Sequence, residues 1–319
     1  GERRKCSPAR RGRRASGGDN RVLGSNHPQP GVVMNASPSL IRSRLHEERR
    51  AATIREEIER AVTVALSFPK AGRSWVCFFL AQYLSARTGD PLDLDLLAPG
   101  RDLPPAVFLH EHIDVFEDVP GPPRLLNERL LLRRRLLVLV RDPRDSLVSY
   151  WYQKRLREAR PVPASLDQFA DSPVYGIERI SQGTTLLLDF YDGHPGDRLL
   201  ESYERLIKDL ADRLRSVLRF ALDRQPVDDS CFRKALEASR FQAMRDWERR
   251  LTRRDAHTRY ADRFGPRQEG PLSDGHFKVR RGTVDGFRTE MSTELQAYVA
   301  GLPHTAALLK RLARADLSV

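Results

Sequence analysis

The sequence predicts an α/β protein of three layers, a central parallel sheet of about four to five strands flanked by helices on both faces. Three observations carry that expectation. Short apolar runs without period-2 polarity, AVTVALSF at Ala61–Phe68 and LLVLV at Leu136–Val140, read as strands buried on both faces. Segments of helical period alternate with them, as in SWVCFFLAQYLSAR at Ser74–Arg87. No internal repeat is present, which argues against a solenoid.

The elements follow in order. Residues 1–37 are rich in Arg, Gly, Ser, Pro and Asn and read as a disordered basic tail, with residues 38–319 as a single domain. Leu40–Arg60 is charged and helix-prone. Ala61–Phe68 ends at Pro69, and a tight Pro-Lys-Ala-Gly-Arg loop leads into the Ser74–Arg87 helix. Ala106–Leu109 is a short strand running into His110-Glu111-His112. Leu136–Val140 is broken by Arg141-Asp142-Pro143, and Ser146–Arg157 reads as a helix. Arg198–Ser202 is a weaker strand, and Glu204–Leu222 reads as one long amphipathic helix. Cys231–Arg240 is a further helix, and Arg253–Ser273 is loop-like. Pro303–Ala315 closes the chain as a helix with its proline at the start.

Bulk properties narrow the function classes. Of 319 residues 40% are hydrophobic, enough for a buried core. The formal charge is +12, but Gly1–Arg21 holds eight Lys/Arg against two acids, half of that excess. The rest is mildly basic, which suits an anionic small ligand as well as nucleic acid, and no specific nucleic-acid partner is expected. The Arg-rich head also fits a mitochondrial presequence by composition, and Met34 offers an alternative start. Cys6, Cys77 and Cys231 lie far apart, so neither a zinc site nor a disulfide framework is expected, and the cytoplasm is the expected compartment. No stretch reaches the ~18 apolar residues of a membrane span. A monomer or homodimer is expected.

Three segments carry chemistry. In Ser67–Trp75 (SFPKAGRSW), Gly72 lets the backbone turn and expose N–H groups. The following helix start favours an anion, with Lys70 adding charge and Ser74 a hydroxyl. The common nucleotide loop GxxxxGK(S/T), which offers a hydroxyl to Mg²⁺, is absent. A strand-to-helix turn with an incidental lysine is the plainer alternative. In the second segment Arg141 stands at the carboxyl end of a parallel strand, where ligands of open α/β sheets bind, and Ser149 lies on the next helix. An Arg fork and a Ser hydroxyl can hold one phosphate from two sides. The alternative is a capped helix with Arg141 or Arg144 paired to Asp145. In the third, Arg280-Arg281-Gly282 is a basic clamp or a solvated charge pair.

Together the segments resemble the cytosolic-type and bacterial sulfotransferase family. Pro-Lys-x-Gly-x-Ser/Thr-Trp is similar to that family's 5′-phosphosulfate loop, with Ala71 and Arg73 as departures from P-K-S-G-T-T-W. Arg141, Asp142, Pro143, Asp145, Ser149 and Tyr150 match its 3′-phosphate motif in identity and spacing. Arg280-Arg281-Gly282 resembles its R-K-G element, with Asp285-Gly286-Phe287 where G-D-W is usual. The resemblance spans roughly residues 60–292 and implies a P-loop-like fold, with 3′-phosphoadenosine 5′-phosphosulfate (PAPS) as donor, 3′-phosphoadenosine 5′-phosphate (PAP) as product and no metal. It implies transfer to a hydroxyl or amine of a small-molecule acceptor. Lys70, Ala71, Gly72, Arg73, Ser74 and Trp75 would bind the 5′ end, and Arg141, Ser149, Arg280, Arg281 and Gly282 the 3′-phosphate. Trp75, Tyr203, Ser239 and Phe241 would line the adenine pocket, Ser239-Arg240-Phe241 before Met244 resembling a T-S-F-x-x-M segment. Lys70 also serves catalysis, with a histidine as base. Aligning His110-Glu111-His112 on the family's K-T-H makes His112 that base, and a shifted register makes it His110. Two rivals stand beside this reading. A small-molecule or nucleoside kinase would use a related phosphate-loop fold. A nucleic-acid binder would keep salt-sensitive DNA binding without residues 1–37.

Overall fold

Alternate residues of the buried strands face two separate cores. The computed structural model describes residues 52–92, 106–109, 122–157, 162–223, 225–254 and 274–317. They fall within one compact unit, Glu48–Val319. Strands β1 (Thr63–Ser67), β2 (Ala106–Leu109), β3 (Arg135–Val140) and β4 (Arg198–Ser202) form a parallel sheet of order β2-β1-β3-β4. Val64, Leu66, Leu136, Val138 and Val140 join one apolar cluster. Ala65, Leu137 and Leu139, one step out of phase, join the other. That period of two explains why the strands read as continuous apolar runs, since both faces are covered.

The helices supply the covers. In chain order they begin with α1 (residues 52–60), α2 (Arg73–Thr88), α3 (Glu128–Leu131), α4 (Pro143–Tyr152), α5 (Leu166–Ala170) and α6 (Ile177–Gly193). They continue with α7 (Tyr203–Lys208), α8 (Leu210–Ala221), α9 (Asp229–Ala238), α10 (Phe241–Arg254), α11 (Phe287–Glu290), α12 (Thr293–Gly301) and α13 (Pro303–Arg314). Leu147 and Val148 of α4, Ile180 and Leu187 of α6, and Leu308 and Leu312 of α13 bury on the first face. Val76 and Phe79 of α2, Val217 and Leu218 of α8, and Phe232 of α9 bury on the second. The three-layer α/β expectation therefore holds, with four strands among the described residues.

Several boundaries move, each for a local reason. The helix expected from Ser146 starts at Pro143, because Asp142 caps it by accepting from Arg144 N–H and the proline sits at the first helical position. Its last turn widens into a π-turn over Gln153–Arg157. The single helix expected over Glu204–Leu222 is two, broken at Asp209 (φ −130°, ψ 53°). Helix α6 escaped the sequence reading, since Gly183 and Thr184 dilute its apolar stripe. Gly183 is needed there, because a Cβ would lie 2.3 Å from the Phe68 ring. The short α5 is capped by Ser165, whose hydroxyl accepts from the Gln168 N–H. The tail 1–37, His110 and His112, and nearly all of 253–273 lie outside the described residues.

Parallel pairing aligns the strand ends. Ser67 is in register with Leu139, and Val140 with Ser202. The residues that follow β1, β3 and β4, namely the Lys70 turn, Arg141 and Tyr203, therefore emerge at one edge of the sheet. Leu137→Ala, at a site with 0% exposure, should cost about 2–5 kcal/mol in urea unfolding. A loss under about 1 kcal/mol would show that the central strand does not bear on the core as described.

Candidate active site

The turn after β1 is strained before any ligand is considered. Lys70 (φ 73°) and Gly72 (φ 91°) both occupy the left-handed region. For a lysine this costs roughly 1–2 kcal/mol. The Lys70 carbonyl accepts from Arg141 Nη1 at 3.3 Å, and its Nζ donates to Gln153 Oε1 at 3.1 Å. Gly72 is required twice over: its φ suits glycine, and a Cβ would sit 3.0 Å from Tyr203 Cδ2. Immediately afterwards α2 begins, and Arg73, Ser74 and Trp75 of its first turn line the same hollow as Gly72, with the Trp75 N–H donating to the Gly72 carbonyl at 2.9 Å.

Arg141 closes the second side. Its guanidinium stacks on the Tyr203 ring at 3.9 Å, pairs with Asp145 at 3.5 Å, and donates to the Thr283 carbonyl at 3.3 Å. Its Nε is buried with no hydrogen-bond partner, as is the Ser67 hydroxyl beneath the turn. The capped helix and the Arg141–Asp145 pair offered as the plainer alternative are both present, and Arg141 still lines the cleft. Arg144 pairs instead with Asp142, at 2.6 Å. Asp145 also accepts from the Phe287 N–H at 2.9 Å. Burial raises its pKa, against the opposing pull of Arg141.

The third side is a segment held from below. Both carboxylate oxygens of buried Glu248 on α10 accept backbone N–H groups, from Lys278 at 2.7 Å and Val279 at 2.8 Å. Gly282 (φ 64°) lies flat on Phe241, where a Cβ would come within 2.1 Å of the ring. Asp285, standing where the resembled pattern has glycine, takes a left-handed φ of 58°. Aspartate tolerates that region better than most side chains. Arg280 donates to Glu290 at 2.7 Å, and Arg281 lies 3.2 Å from the same oxygen.

The three sides enclose one cleft. Lys70, Gly72, Arg73, Ser74, Trp75, Arg141, Ser149, Tyr203, Phe241, Arg280, Arg281 and Gly282 all line it. Trp75 and Tyr203 meet at 5.7 Å between centroids, tilted by 59°, and form an aromatic wall. Two residues named from the sequence stand behind that wall. Ala71 is buried in the core. Ser239 is fully buried and holds Trp75 through its carbonyl, which accepts from Nε1 at 2.7 Å. His110 and His112 lie outside the described residues. The sequence reading did not single out Gln153, Lys278 and Thr283, which also line the cleft. Gln153 stands four residues after Ser149, one helical turn on, a spacing that could have flagged it.

Such a site can hold a ligand with anionic groups at two places and a flat group against the aromatic wall. The family comparison agrees with this geometry. Residues 63–300 match the sulfotransferase domain family. The chain belongs to this family. It is a sulfuryl-transfer enzyme. Two structures of retinol dehydratase resemble the sulfotransferase fold seen here. One, in complex with androsterone and inactive cofactor PAP, has a TM-score of 0.51 at 15% identity and covers 78% of this chain and 79% of its own. The other, with retinol and PAP, has a TM-score of 0.51 at 16% identity, with 78% and 81% covered. A mouse sulfotransferase with PAP aligns at a TM-score of 0.46 and 16% identity, over 79% and 89%. No curated protein sequence matches the chain.

Beneath the sulfotransferase cleft lies a buried carboxyl with an unusual proton. Glu204, next to Tyr203, accepts from the Asp142 N–H at 2.9 Å, and burial pushes its pKa up to about 7. The folded state thus keeps a proton that the unfolded chain releases above pH ~4.5. Its contribution is complete below that pH and lost as pH rises through about 7. Glu204→Gln keeps the acceptor oxygen without the charge. Its stability relative to wild type should rise between pH 5 and 8, by a few kcal/mol at most. A pH-independent difference in denaturant midpoints would refute the assignment.

Proposed function

We propose that this sulfotransferase takes its sulfuryl group from PAPS, passes it to a hydroxyl or amine of a small-molecule acceptor and releases PAP. The observation that carries this reading is the convergence of the Lys70 turn, Arg141, Ser149 and the Arg280–Arg281 pair on one cleft with an aromatic wall. The fit is chemical as well as spatial. The turn presents helix N–H groups and a cation at one end, and the arginines supply fork-shaped donors at the other. The unpartnered Arg141 Nε and Ser67 hydroxyl are polar atoms that an anionic ligand would satisfy. When bound, the donor supplies an activated sulfuryl group on a phosphate leaving group.

The residues then have distinct tasks. Lys70, with the N–H groups of Arg73 and Ser74, balances charge that builds on the leaving oxygen. Gln153 keeps the Lys70 ammonium aimed along the cleft. Arg141, Ser149, Arg280, Arg281 and Gly282 hold the 3′-phosphate, while Trp75, Tyr203 and Phe241 flank the base. Ser239 supports Trp75, and Ala71 seats the turn. A histidine takes the acceptor proton as attack proceeds in line. His112 is proposed for this role, and His110 is the alternative. The end of β2 supports a histidine there, since Leu109 pairs with Leu66, shortly before the Lys70 turn. The acceptor class follows the small molecules held by retinol dehydratase, androsterone and retinol. The proposal also takes residues 38–319 as one cytoplasmic catalytic domain behind a basic tail.

Calorimetry separates this from the kinase alternative: PAP should bind well and ATP poorly, and a clear preference for ATP would remove PAPS from the scheme. Lys70→Ala should lower turnover at least 100-fold, about 3 kcal/mol of transition-state stabilisation. His112→Ala should cut turnover comparably with PAP affinity near normal. If His110→Ala does this instead, the base is His110.

A further inference from the structure

Glu290 takes no part in the scheme above, yet it touches both arginines of the third segment. It ends α11 and its side chain is only 6% exposed. One of its oxygens accepts from Arg280 Nη1 at 2.7 Å and lies 3.2 Å from Arg281 Nη1. Arg281 also donates to Thr289 Oγ1 at 3.1 Å, and that hydroxyl donates back to the Gly286 carbonyl at 3.0 Å. Arg280 lies over the Tyr152 ring at 4.2 Å. Helix α11 is itself fixed by the Asp145 carboxylate at Phe287 N–H.

Two guanidinium groups on neighbouring residues repel one another and carry long, rotamer-rich side chains. A buried carboxylate between them cancels the repulsion and takes one nitrogen of each. A guanidinium has five N–H donors, so most remain for another partner. Arg280 is 14% exposed and Arg281 49%, and both line the cleft. We infer that Glu290 is a positioning residue: it pre-sets Arg280 and Arg281 for the 3′-phosphate of the nucleotide. This rests on the nucleotide reading of the cleft.

By Coulomb's law alone, deleting an acid beside a phosphate subsite strengthens anion binding. Positioning predicts the reverse, because freed arginines must be ordered again on binding.

The test is calorimetry of full-length wild type, Glu290→Gln, Arg281→Ala and the double variant with PAP and with 5′-AMP, which lacks the 3′-phosphate. Wild type should prefer PAP. Glu290→Gln should weaken PAP by about tenfold and 5′-AMP by less than about twofold. The double variant should lose less than the sum of the two single losses, since Arg281 shares Glu290 with Arg280. Unchanged or tighter PAP binding by Glu290→Gln overturns the inference. So does an equal loss for PAP and 5′-AMP with a lowered melting temperature, which marks a general structural role. A wild-type protein that fails to distinguish PAP from 5′-AMP defeats the nucleotide reading itself, a different result.

Discussion

The stacking of Arg141 on Tyr203 is the joint from which the cleft is built. One guanidinium at the end of β3 reaches the Lys70 carbonyl, the Thr283 carbonyl and Asp145 while its face rests on a ring from the start of α7. Three segments far apart in the chain meet on this one planar cation. Its charge is largely withdrawn from water, so it depends on those partners, and removing any of them would leave it poorly compensated. The ring has a second duty. It also lies against Gly72, where a side chain would collide with Cδ2. Turn, ring and guanidinium form a stack in which each layer sets the position of the next.

Backbone strain is present at that stack. Of the five described non-glycine residues with positive φ, Lys70 and Asp285 border the cleft or the segment that closes it, while Asn127, Asp223 and Asp316 lie elsewhere. Gly72 and Gly282 do so as well, each against an aromatic ring. Unfavourable backbone geometry persists where surrounding contacts over-determine it. Here those contacts are ion pairs and ring packing contributed by β3, α7 and α10. The sheet provides a rigid base, and the irregular chain above it carries the chemistry.

What the sequence disclosed depends on how local each signal is. The strands announce themselves as apolar runs because both faces are buried. Lys70, Gly72, Arg141 and the Arg280–Arg281 pair are visible because glycine, proline and charge at strand ends break the apolar pattern. The wall of Trp75, Tyr203 and Phe241 was reached through likeness to a known pattern, since each residue alone would pass for core. Glu248 and Glu290 were invisible. A single acid in a charged helix has no signature, and each acquires meaning only from backbone or side-chain groups brought to it by folding. Helix α6 is masked by its glycine and threonine, and the reason for the glycine lies in a distant phenylalanine.

The bond from the Phe287 N–H to Asp145 spans 142 positions of chain. The carboxylate that partners Arg141 is thus itself partnered by a residue synthesised long after it. A nascent polypeptide released from the ribosome tunnel only as far as β4 would already own all four described strands, yet its cleft would lack the third side. Closure of the cleft therefore waits for the segment around Phe287 to dock on Asp145, after the strands beneath it have been made.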